Sequence, residues 1–186
     1  MRYLEAARLI QNTNFESHKS IKVFTSSELN QLSLHLRAEA AISKINMDIE
    51  ISSFGTLTQS LIQDERKSDL ELLLLFPWDI LPELDWRTGG GDVLSWTKKI
   101  LKTKLQQFEK MVSIRNLSLI VYCDAPYVPS TFNNEEKQLL NYSIDSAAKR
   151  CADVILPSNV FSLKNYLKTG FPFEADTLDI VAKKIL

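Results

Sequence analysis

The stretch that most constrains this chain is Leu70-Glu71-Leu72-Leu73-Leu74-Leu75-Phe76, apolar at every position but one and closed by Pro77. A half-covered strand alternates apolar with polar residues. A run that is apolar in both registers fits a strand covered on both faces. It is too short for a buried helix, and proline cannot donate to a central ladder, so the element ends at Pro77. Whatever the chain folds into must place helices above and below this strand.

The flanking sequence supplies them. Ile21 to Phe24, Ile49 to Ile51, Leu117 to Tyr122 and Val154 to Leu156 read as further strands. Between them lie segments with apolar residues three and four apart: Leu29, Leu32, Leu36 and Ala40; Leu57, Leu61 and Ile62; Val93, Trp96, Ile100, Leu101, Leu105 and Phe108; Leu139, Leu140, Ile144 and Ala147. A last helix is expected from about Asp176 to Lys184. Thr25 with Glu28 fits a capping box at the first crossover, and Asp92 fits an N-cap after Gly89-Gly90-Gly91. Strict alternation of strand and helix predicts parallel strands with right-handed crossovers. The expected fold is α/β: a three-layer αβα, doubly wound, five-stranded parallel sheet. No linker or repeat divides residues 1–186, so one domain is expected, with residues 1–20 as an extension of helical pattern.

Charge and residue counts narrow the function classes. Lys plus Arg total 22 and Asp plus Glu 23, for a formal charge of -1, which gives no basic field for a nucleic-acid backbone. His18 and His35 are the sole histidines, and Cys123 and Cys151 the sole cysteines, too few for a multi-histidine metal centre or a four-thiolate zinc site. No apolar run approaches the roughly 20 residues of a membrane helix, and the start lacks a signal-peptide core. A cytoplasmic protein without a membrane, metal or cofactor site is the expectation. Neither G-x-G-x-x-G nor a P-loop occurs among the five glycines.

In an open parallel sheet, ligands bind beyond the carboxyl ends of the strands. That rule selects Ser26 and Ser27 after the first strand, Gly55 after the second, Trp78 and Asp79 after the third, and Asp124 after the fourth. A serine there needs a base to become a nucleophile, usually histidine. His35 falls two turns into a helix and His18 before the first strand, and neither position serves. Asp79 and Asp124 could face one crevice as paired carboxylates, and Trp78 and Trp86 could line it. Capping serines and solvated acids are the competing structural reading. Cys123 and Cys151 fit packing positions.

Taken together, Val23-Phe24-Thr25-Ser26-Ser27-Glu28-Leu29, Phe54-Gly55 and Leu73 to Asp79 resemble the blocks of the SGNH hydrolase fold. The resemblance places Ser27 at the family's serine and Gly55 at its glycine. Trp78 stands where the asparagine belongs, Pro172 where the histidine belongs, and Thr169 where the acid before it belongs. The stretch Tyr166-Leu167-Lys168-Thr169-Gly170-Phe171-Pro172-Phe173 is similar to the segment that closes the amino-terminal SGNH-like domain of FkbH-type proteins. There a haloacid-dehalogenase-like (HAD-like) domain follows and loads a glyceryl group onto an acyl carrier protein. This chain has no D-x-D-x-T/V motif and ends at Leu186, about where such a domain would begin. The resemblance thus implies a catalytically degenerate accessory or binding domain of secondary-metabolite or surface-polysaccharide biosynthesis, with a HAD-like domain or carrier protein as partner. The alternative is a stand-alone esterase or acyltransferase using Ser27 with Asp124 or Asp79 as base.

Overall fold

In the computed structural model, which describes residues 2–63, 68–88, 98–126 and 134–186, five parallel strands form one sheet in the order β2-β1-β3-β4-β5. They are β1 (Ser17–Phe24), β2 (Ile45–Ile51), β3 (Leu70–Leu75), β4 (Leu119–Cys123) and β5 (Val154–Leu156). The helices are α1 (Tyr3–Asn12), α2 (Asn30–Ile42), α3 (Leu57–Gln63), α4 (Pro77–Ile80), α5 (Lys98–Ser113), α6 (Asn134–Cys151), α7 (Leu163–Thr169) and α8 (Leu178–Ile185). The strand order reverses between β1 and β3, as the doubly wound α/β reading expects.

The pleat of β3 explains its composition. Leu72 and Leu74 point to one face, where they join Val23, Leu32, Leu36, Val121, Tyr166 and Val181 in a core roofed by α2, α7 and α8. Leu73 and Leu75 point to the other, where they join Phe24, Leu61, Leu105, Phe108, Leu140 and Ile144 beneath α3, α5 and α6. A strand clad on both sides has no polar face, which is why the run from Leu70 is almost wholly apolar. Its exception, Glu71, is also buried. It accepts from Arg115 Nε at 2.6 Å and from Nη2 at 2.5 Å, with the guanidinium stacked 4.4 Å from the Phe24 ring.

Several boundaries depart from the sequence reading. β1 and β2 each begin four residues before the expected Ile21 and Ile49, pairing Ser17 with Ile45. The amino-terminal half of β1 is exposed and polar, so no apolar pattern marks it, whereas in β2 Ile45 and buried Met47 extend the period-2 alternation of Ile49 and Ile51 backwards. The residues before β1 do form a helix, α1, which packs on α2. The capping box is not formed. Thr25 is fully buried; its N–H donates to Ser52 Oγ at 3.0 Å, and its own Oγ1 accepts from Ser27 N–H at 3.2 Å. Glu28 instead accepts from Asn30 N–H, where α2 begins. The expected N-cap Asp92, the Gly89-Gly90-Gly91 run and Trp96 lie outside the described residues.

Candidate functional site

Two strand-end loops meet at the reversal point. Ser52 Oγ accepts from Thr25 N–H and donates to Thr25 O, both at 3.0 Å, locking the end of β1 to the end of β2. Gly55, at φ 73°, turns the second loop back so that its N–H donates to Ser26 O at 3.3 Å. This left-handed conformation favours glycine because it lacks a Cβ. The carboxyl-terminal segment closes the same end: Gly170, which ends α7 at φ 77°, accepts from Glu28 N–H at 3.0 Å.

A cavity of about 310 Å³ opens there, walled by Ser26, Gly55, Leu57, Trp78, Asp79 and Arg87, with Asp85 and Pro82 beside them. Four of the six residues expected from the sequence therefore share one site. Ser27 and Asp124 do not line it. Ser27 is 1% exposed behind the loop, whereas Asp124 is exposed and its N–H closes β4 onto Leu156 O. The carboxylate that accompanies Asp79 in the cavity is Asp85.

The electrostatics centre on two carboxylates with different surroundings. Asp85 is fully engaged: it accepts from Arg87 N, Nε and Nη2 and, at 3.1 Å, from Tyr166 Oη. The Arg87 guanidinium lies 4.6 Å from the Phe54 ring and 4.9 Å from the Tyr166 ring. Stacking and a bidentate carboxylate suit the planar fork of arginine. Asp79 accepts from Phe76 N–H at 2.8 Å. Burial pushes its carboxyl up to about 7, against the nearby Ser26 hydroxyl and the Phe76 N–H, which pull it down; the charge of Asp85 adds to the rise and Arg87 opposes it. Such an acid is about half protonated at neutral pH.

Two donors in the cavity wall are left over. Among the described residues neither Ser26 Oγ nor Trp78 Nε1 has a well-formed hydrogen bond; their residues are 8% and 3% exposed. Trp78 is fixed by stacking on Phe76 at 5.1 Å and on Tyr166 at 4.6 Å. Trp86 instead donates its Nε1–H to Pro126 O at 2.6 Å. No imidazole reaches the site. His18 lies at the amino end of β1 beside Asp48, roughly 20 Å along the strand from its carboxyl end. His35 is buried in α2 and does not line the cavity; burial lowers its pKa. Burial raises the thiol pKa of both cysteines, which stay protonated. Among the described residues no group of three His, Cys, Asp or Glu could hold a metal ion, and no helix is long and apolar enough to cross a membrane.

Arg87, which lines the cavity, was not singled out by sequence. Its only local signal is the Asp85-x-Arg87 spacing, which occurs too widely to mark a site.

No family model matches the sequence, and no curated protein matches it. Among solved structures, the chain is similar to the N-terminal part of the protein BF1531 from Bacteroides fragilis, containing a phosphatase domain and complexed with Mg. The TM-score is 0.67 at 11% identity, over 99% of this chain and 55% of that one. At that identity the likeness shows the fold alone. The chain spans about half the length of that structure.

Proposed function

We propose that this chain is a catalytically degenerate SGNH-like binding domain that holds a small substrate for an acyl (glyceryl) transfer of the FkbH type to a carrier protein. The observation that carries this reading is a formed cavity at the sheet's reversal point that neither histidine of the chain lines. Without an imidazole, the Ser26 and Ser27 hydroxyls remain ordinary alcohols. The likeness to a structure about twice as long, whose name includes a phosphatase domain, supports a HAD-like domain as the partner that does the chemistry.

One observation favours a second reading. The Ser26 hydroxyl beside Asp79 is a place where a non-histidine base could serve an esterase or acyltransferase. A general base contributes about 10²–10⁴-fold in rate, and Asp79 would supply that help only once it has lost its proton. Short p-nitrophenyl acyl esters, incubated with pure protein from pH 6 to 9, separate the two. The binding reading expects turnover no faster than in a Ser26→Ala, Ser27→Ala double variant. Turnover that climbs through pH 7 and vanishes in Ser26→Ala would establish the enzyme instead.

A further inference from the structure

The two edges of the sheet are built differently. β5 is three residues long, and so short an edge offers little to pair with. β2 is seven residues long, pairs with β1 in unbroken register, and contains neither proline nor lysine, which commonly blunt an edge. Its charges, Asp48 and Glu50, are both acidic. Ser52 donates its N–H to Val23 O, and Lys44 O accepts from Glu16 N–H, so the even-numbered residues of β2 bond toward β1. The N–H and C=O groups of Ile45, Met47 and Ile49 therefore point outward, and no described residue is bonded to them. The side chains of the same three residues form an apolar row on the α2 side, Met47 buried and both isoleucines half-buried. Ile42, at the end of α2, is 59% exposed. Asn46, Asp48 and Glu50 alternate with this row and face the other way.

A free edge of this kind accepts an extended strand, and the residues decide which. Laid antiparallel on its own copy about a two-fold axis at Met47, β2 sets Ile45 opposite Ile49 on the apolar face and Asn46 opposite Asp48 on the polar face. The outward backbone groups of Ile45, Met47 and Ile49 then fall in hydrogen-bonded pairs, and the amide and carboxylate side chains in the closer, non-hydrogen-bonded pairs between them. Glu50 comes beside Lys44, just before the facing strand begins. Other registers fare worse. An axis at Asp48 puts that carboxylate against its own copy, and an axis at Ile49 puts Asp48 against Glu50; like charges directly opposite are destabilising. An axis at Asn46 leaves Ile49 beyond the end of the facing strand. Self-complementarity in a single register is what an isologous two-fold contact requires.

We propose that the outer edge of β2 is a homodimer interface, where two copies of this chain join antiparallel, in register at Met47, into one continuous ten-stranded sheet. The joined strands run in opposite directions, so the two strand-end cavities point to opposite sides of the dimer. The interface thus stands apart from the binding reading above, and neither depends on the other.

Sedimentation of the whole chain from low to high micromolar concentration tests the proposal. The species expected at the upper end has twice the 21.2 kDa mass of one chain. Asn46→Asp sets carboxylate against carboxylate on either side of the axis and should weaken dimerisation about tenfold. Combining it with Asp48→Asn restores an amide opposite a carboxylate and should recover the dimer. Circular dichroism and melting of dilute protein check that each variant is folded. Amide exchange on the unsubstituted chain gives a readout that needs no variant. The N–H groups of Ile45, Met47 and Ile49 should exchange more slowly as the protein is concentrated, while those of Asp48 and Glu50, already bonded to β1, should not change. A monomer at every concentration, a dimer indifferent to Asn46→Asp, or protection that rises elsewhere but not at those three amides would overturn the proposal.

Discussion

Tyr166 Oη donates to Asp85 Oδ1 at 3.1 Å, tying a helix near the end of the chain to the loop that leaves β3, 81 positions earlier. The contact is buried, and it orients the carboxylate that in turn holds Arg87 at the cavity wall. One phenol thus sets the position of the arginine in the cavity wall through a single intermediate.

Replacing that phenol isolates the effect. Tyr166→Phe keeps the ring that stacks on Trp78 and Arg87 but removes the donor to a buried carboxylate. The expected loss is about 1–3 kcal/mol in urea denaturation, the range for hydrogen bonds to charged groups. An unchanged midpoint would mean that Asp85 is satisfied without the phenol.

The two left-handed glycines differ in what surrounds them. A Cβ on Gly170 would lie 2.6 Å from Phe54 Cε2, while one on Gly55 would meet nothing within 4 Å. Both share the backbone penalty of about 1–2 kcal/mol for a non-glycine residue in this region. Gly55→Ala should cost about that much. Gly170→Ala should cost more, and combining it with Phe54→Ala should recover the excess but not the backbone share. Equal midpoints for the two single variants would show that Phe54, which is 49% exposed, simply swings aside.

Glu71 shows what the sequence could and could not reveal. Its strand was legible because a run apolar on both faces admits few folds. Its partner was not, since Arg115 lies 44 residues away and an ion pair leaves no periodic trace. The amino-terminal half of β1 was hidden for a related reason: residues such as His18 and Lys19 are held by backbone pairing and not by an apolar face. Thr25 and Glu28 matched a local capping rule that lost to a tertiary contact, the bond between Thr25 and Ser52. The cavity's location followed from topology, so Ser26, Gly55, Trp78 and Asp79, which line it, were singled out. Which serine faces the cavity depends on how the loop turns, and the sequence reading favoured Ser27.

The same ion pair yields a stability prediction. Glu71→Ala takes the carboxylate away from a nearly buried guanidinium that also donates to Leu61 O, and should cost up to about 3–5 kcal/mol. Replacing both partners, as Glu71→Leu with Arg115→Met, removes the charge as well and should come within about 1–2 kcal/mol of wild type, because apolar replacement of a buried pair is often neutral. Denaturation of the two variants side by side checks it. A double variant as unstable as the single one would assign the loss to packing and not to charge.

Two buried groups oppose each other in the pH dependence of stability. Asp79 has its pKa raised to about 7 by burial, so between about pH 4 and 7 the folded chain keeps a proton that the unfolded chain has released. Stability from this group is present at low pH and is lost as pH rises through 7. His35 has its pKa lowered by burial, so just below pH 6.5 the unfolded chain binds a proton that the folded chain refuses. Its contribution is present above pH 6.5 and is lost as pH falls. Asp79→Asn should therefore be more stable than wild type at pH 8, by roughly 1–2 kcal/mol because the carboxyl retains some solvent contact, and close to it at pH 4.5. His35→Leu should lose less stability than wild type on going from pH 7 to pH 5. Urea midpoints at pH 4.5, 5, 7 and 8 for the three proteins measure both slopes. If Asp79→Asn tracked wild type at every pH, its carboxyl would titrate as an ordinary surface acid, and the proton assigned to the cavity at neutral pH would not be there.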